Sequence, residues 1–132
     1  MRIALATALA ALIATAVDLG IQEIGRTVLA VPGDFEPYHG TVAPYTIGGV
    51  VLAGITYWIV CRFARDPRRV YIVLSIVALV LSYLPDILLL VWNDPGATIP
   101  AVASLMVMHT AAALIVVTLL LTVAPPRSGS TA

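Results

Sequence analysis

The sequence predicts an all-α fold, a four-span transmembrane helical bundle with both termini on the cytoplasmic side. Three observations predict it. First, 61% of the 132 residues are apolar and only 11% are charged, against roughly 45–50% and 25% in soluble domains. The mean hydropathy is +1.03, and a soluble globule of this size has too much surface to cover with so few charges. Second, the apolar residues fall into four runs, each close to the roughly 20 helical residues that cross a bilayer core. Third, arginine is distributed unequally between the connections. The net charge of zero excludes a nucleic-acid partner. The apolar content excludes disorder, and a single Cys excludes a disulfide scaffold.

Span one covers about residues 3–21 and is interrupted only by Thr7, Thr15 and Asp18. Arg2, the apolar run and Ala14-Thr15-Ala16 also fit a signal peptide with an A-x-A cleavage site. Retention is the expected outcome. The apolar periodicity continues through Val17, Ile21, Ile24 and Val28, and Ala4, Ala8, Ala11 and Thr15 form a stripe for close helix packing. The helix is expected to reach about Ala30, with Gln22, Glu23 and Arg26 at a solvated end. Residues 31–41 form an outer loop. Span two covers 42–63, with Gly49, Ala53 and Thr56 on one face and Gly48 and Gly54 elsewhere.

Span three covers 70–92 and carries one charge, Asp86, on a side shared with Ser75, Ala78 and Ser82. Asn93-Asp94-Pro95-Gly96 predicts a turn. Span four covers 101–123, with Ser104, Ala111, Thr118 and Thr122 on one face and His109 as its only ionisable group. Residues 1–124 read as one membrane domain, and 125–132, rich in Pro, Ser and Gly, as a disordered cytoplasmic tail. Continuous apolar runs without alternation exclude a β-barrel.

Orientation follows from the basic residues, all of which are Arg. Arg62, Arg65, Arg68 and Arg69 occupy the connection at 62–69. Arg2 precedes span one, Arg127 follows span four, and Arg26 alone lies on the other side. The positive-inside rule places the termini and the Arg connection in the cytoplasm. Those four arginines are expected to anchor anionic lipid, or alternatively to dock a cytoplasmic partner.

Asp18, Asp86 and His109 are the ionisable groups left at membrane depth. A carboxylate there costs roughly 2.5–3.5 kcal/mol on the insertion scale and usually finds a partner. Counting residues puts both acids in the outer third and His109 about 12 Å from the outer face. Pro85 removes one backbone bond and frees the Leu81 carbonyl, which favours a kink that turns Asp86 inward. Tyr83 and Tyr45 reach the same level. Two readings follow. In one, the trio lines a small polar pocket open to the outside. In the other, Asp18 is interfacial, Asp86 caps the loop, and His109 bonds to Asp86 or to a backbone carbonyl.

No metal or cofactor is expected. Asp34, Glu36 and His39 match no ligand spacing, and Pro37 breaks any shared helical face. A bis-His haem would need a second membrane histidine, and His39 is in the loop. Cys61 lies on the reducing side and reads as a packed or lipid-facing thiol.

Three stretches carry a family resemblance: Thr46-Ile47-Gly48-Gly49 running to Ala53-Gly54 and Trp58; Arg68-Arg69-Val70-Tyr71 opening a span that ends Leu84-Pro85-Asp86; and Leu105-Met106-Val107-Met108-His109. Over residues 40–123 the chain resembles a family of small four-helix membrane proteins of actinobacteria, domain-of-unknown-function family 6069. The resemblance implies four spans and a plasma-membrane location. It carries over no functional residue.

The leading functional expectation is a non-enzymatic membrane component that acts by association, as an accessory subunit or homo-oligomer within the lipid bilayer. Small-residue stripes and the lack of a nucleophile–base–acid set motivate it. The alternative is a small transport or proton-linked protein using Asp86 and His109.

Overall fold

The computed structural model describes residues 1–126. They form α1 (Arg2–Thr27), a short 3-10 helix (Glu36–Tyr38), α2 (Val42–Phe63), α3 (Pro67–Val91) and α4 (Ile99–Val123). No strand occurs among the described residues. All four long helices are long and apolar enough to cross a membrane. Arg127 and most of the expected tail lie outside the described residues.

Local chemistry sets the helix starts. Pro67 opens α3 behind Asp66, whose Oδ1 accepts from the Arg69 amide at 3.2 Å. Thr98 caps α4 through its hydroxyl oxygen, which accepts from the Ala101 amide at 3.3 Å, with Pro100 in the first turn. Both follow the preference for a polar cap before a proline-led first turn. Pro85 sits within α3, which continues through it.

Short connections make neighbours antiparallel. The C-terminal ends of α1 and α3 therefore share one end of the bundle with the N-terminal ends of α2 and α4. That end, with the 31–41 segment, is here the cap end; the opposite end, with Arg62–Arg69, is the Arg end. α1 packs mainly on α4 and α2, and α3 rests mainly on α4.

Two apolar clusters stabilise the bundle. Toward the Arg end, Ala6, Ala10 and Ala14 of α1 meet Val50, Tyr57 and Val60 of α2, Tyr71 of α3, and Val116 and Leu120 of α4. At the cap end, Val31, Phe35, Tyr38 and Val42 meet Ala101, Leu105 and Met108. Between these clusters each long helix carries a polar residue: Asp18, Thr46, Asp86 and His109.

The packing faces differ from the expected stripes. On α1, Ala4 and Ala8 are exposed and the buried row is Ala6, Ala10, Ala14, Asp18, Gln22 and Gly25. Both rows pass through Asp18 and Gln22, so alanine alone did not discriminate between them. On α2, Gly49 is exposed and the close approach occurs at Gly54, against Thr7 of α1. Thr118, Thr122 and Ala78 also face outward. A hydroxyl can face lipid because it bonds its own helix, as Thr122 does to the Thr118 carbonyl at 2.7 Å.

Candidate functional site

The polar layer is built from all four helices. On α4, His109 Nδ1 lies 2.9 Å from the Leu105 carbonyl oxygen. A carbonyl only accepts, so Nδ1 carries the hydrogen and Nε2 of the neutral ring is the free acceptor. Asp86 Oδ2 of α3 lies 3.2 Å from the same Nδ1. This oxygen is buried and receives no aligned hydrogen bond. The Asp86 side chain is 9% exposed and the His109 side chain 41%. The couple thus joins a buried carboxylate to a half-exposed imidazole.

One turn away, Tyr83 and Thr110 lie 2.6 Å apart through their oxygens. The Thr110 hydroxyl donates to the Met106 carbonyl, so the Tyr83 hydroxyl donates to Thr110. Tyr83 therefore extends the α3–α4 polar seam.

Asp18 lies on α1, bonded to α2. It is 3% exposed. Its Oδ2 accepts from the Thr46 hydroxyl of α2 at 2.7 Å, and its Oδ1 is buried without a partner. Asp18 and His109 lie on α1 and α4, which pack on each other, so the two carboxylates and the imidazole are carried by three different helices.

Several expectations change here. Asp18 is buried, not interfacial, bonded by Thr46 of α2, and the end of α1 that was expected to be solvated is covered from Gln22 on by the 31–41 segment. Asp86 is buried in the helix seam and does not cap the following loop. Tyr45 takes no part, being 76% exposed. The polar side chains meet in the packing between helices, and two shallow surface grooves lie elsewhere, beside Arg68–Arg69 and beside Ile13 and Leu114. Arg62, Arg65, Arg68 and Arg69 are exposed at the far end, and Cys61 packs half-buried against the lower cluster.

The residues that sequence reasoning missed are those of the cap. Gln22 Nε2 and Arg26 Nη2 both donate to the Tyr38 carbonyl, at 2.7 and 2.6 Å. The Arg26 guanidinium also lies 5.6 Å from the centroid of the Tyr38 ring. The Tyr38 hydroxyl meets Ser104 Oγ at 2.6 Å; Ser104 donates to the Ala101 carbonyl, so Tyr38 donates to Ser104. Phe35 packs edge-on against Tyr38, their centroids 5.2 Å apart. The signal in the sequence was two aromatics, Phe35 and Tyr38, in a segment otherwise too polar for a span.

His39 sits on the outer surface of this cap. Its Nε2 lies 2.7 Å from the Gly33 carbonyl and its Nδ1 3.3 Å from Glu36 Oε2. The Gly33 carbonyl first, then Glu36, hold the ring's pKa above the usual histidine value. Asp34 is not part of this contact, and no group of three His, Cys, Asp or Glu among the described residues is placed to hold a metal ion.

A model of the family of unknown function DUF6069 matches residues 1–125. The chain belongs to the DUF6069 family. The match takes in all four helices, the cap and every residue of the polar layer of this DUF6069 protein. The chain matches no curated protein and no solved structure.

Proposed function

We propose that this DUF6069 chain is a non-enzymatic, multi-pass protein of the cytoplasmic membrane in which Asp86 and His109 exchange a proton with the outside. The termini and the Arg62–Arg69 connection lie in the cytoplasm, with span one retained and the arginines held at anionic lipid; the Arg asymmetry supports this orientation. One observation carries the proton reading. His109 Nδ1 lies 3.2 Å from a buried, unsatisfied Asp86 oxygen, while the ring is half-exposed. The imidazole takes a proton at Nε2, and the carboxylate beside it compensates the charge.

The test uses the two histidines as reporters. With His39 replaced by Gln, a single imidazole remains for NMR in detergent micelles. The His109 ring should titrate, and Asp86→Asn should shift its midpoint. A ring that does not titrate, or a midpoint indifferent to Asp86→Asn, would overturn the proposal.

A second reading, association with copies of itself or with another membrane protein, has its own support. Small residues that do not pack within the chain lie on its surface: Ala4 and Ala8 on α1, Gly48 and Gly49 on α2. Such faces let helices of different chains approach closely. Ala8→Cys in a Cys61→Ser background should then crosslink to dimer or to a partner in membranes. Monomer alone would sink this reading.

A further inference from the structure

We propose that Asp18, Thr15 and Thr46 form a binding site for one small monovalent cation beside the Asp86–His109 couple. Asp18 is 3% exposed. Thr46 satisfies one of its carboxylate oxygens at 2.7 Å, and the other, Oδ1, is buried without a partner. Thr15 lies one turn earlier on the same helix, at the i, i+3 spacing that makes side chains neighbours. Its hydroxyl oxygen is also buried without a partner.

That hydroxyl is unusual within this chain. Thr7, Thr56, Thr110 and Thr122 each donate to the carbonyl four residues back in their own helix. Thr46 instead donates to Asp18, and Thr15 makes no bond at all. Among the described helical threonines that are not exposed, only these two make no bond to their own helix, and both neighbour Asp18. An orphaned carboxylate oxygen and an orphaned hydroxyl, both out of reach of water, mark a place where a ligand supplies the missing interactions.

The donors select the ligand. They are oxygens only, which suits a hard cation. The charge count selects its valence. The site itself holds one carboxylate, Asp18, and two neutral hydroxyls, Thr15 and Thr46, so it carries one negative charge. A single monovalent cation neutralises it; a divalent ion would leave an excess buried positive charge. Sodium and hydronium share this chemistry. Asp86 pairs with His109 across α3 and α4, so the cation site and that couple use different carboxylates.

The experiment uses the full chain purified in mild detergent at constant pH, with NaCl replacing choline chloride at constant ionic strength. The thermal midpoint should rise saturably, by roughly 3 °C or more. Asp18→Asn should abolish the rise. Thr15→Val, which keeps the volume and removes the hydroxyl, should weaken it, and carries the test if Asp18→Asn does not fold. His109→Gln should keep the sodium response, so this site and the Asp86–His109 couple can fail separately. Stabilisation that follows pH without responding to sodium, and disappears in Asp18→Asn, assigns the site to hydronium. A midpoint indifferent to sodium and to pH, or a sodium response that survives both Asp18→Asn and Thr15→Val, overturns the proposal.

Discussion

Gly96→Ala should destabilise the folded bundle by about 2–4 kcal/mol and detach the cap. Two effects add. Gly96 has φ +72°, a left-handed conformation that costs a side chain on the order of 1–2 kcal/mol. A Cβ there would also collide with the backbone nitrogen and Cα of Phe35. Backbone cannot rotate away as a flexible side chain can, so the 31–41 segment must move and Phe35 must leave its site. Two controls separate the effects. Gly40 has φ +84° but open space around it, so Gly40→Ala should show the conformational cost alone. Gly33 has open space and no such φ, so Gly33→Ala should stay within about 0.5 kcal/mol. Denaturant titration in detergent gives the stabilities, and proteolysis within 31–41 reports the cap. Equal losses for Gly96→Ala and Gly40→Ala would mean that the cap does not rest on residue 96.

Gly54→Ala should cost about 1–3 kcal/mol through overpacking between α1 and α2. The added methyl would meet the hydroxyl and methyl of Thr7. Thr7 cannot easily turn aside, because its hydroxyl is bonded to the Ile3 carbonyl at 2.9 Å. Thr7→Ala should therefore recover at least half of the loss in the double variant, a coupling that a mutant cycle measures. Gly48→Ala and Gly49→Ala meet nothing within the chain and should be neutral in the isolated protein. Absence of rescue by Thr7→Ala would show that the two helices do not approach at Gly54.

The spans were legible because lipid compels it: an apolar run of sufficient length has few alternatives to a helix. The Asp86–His109 contact was legible in outline, since ionisable groups at depth are rare enough to be paired by elimination. The packing faces were not. Alpha1 carries alanine at 4, 6, 8, 10, 11, 14 and 16, which supplies two equally small rows, and only the tertiary partners choose between them. The cap was legible least of all. Gln22 and Arg26 bond to the carbonyl of Tyr38, and a carbonyl leaves no mark in a sequence. The tyrosine expected near the site, Tyr45, faces outward, while Tyr38 closes the bundle end through Ser104, 66 residues away.

The lower cluster gives the polar layer a further property. Beneath Thr15, α1 buries only Ala14, Ala10 and Ala6, and the facing side chains are Val50, Val116 and Leu120, with Tyr57 and Tyr71 nearer the Arg end. About two helical turns of close-packed hydrocarbon, or ~10 Å, separate the carboxylates from the next buried polar groups toward the Arg end. On the proposed reading, a charge arriving past the cap meets this hydrocarbon next, and in electrical terms the bundle would behave as a capacitor and not as a conductor.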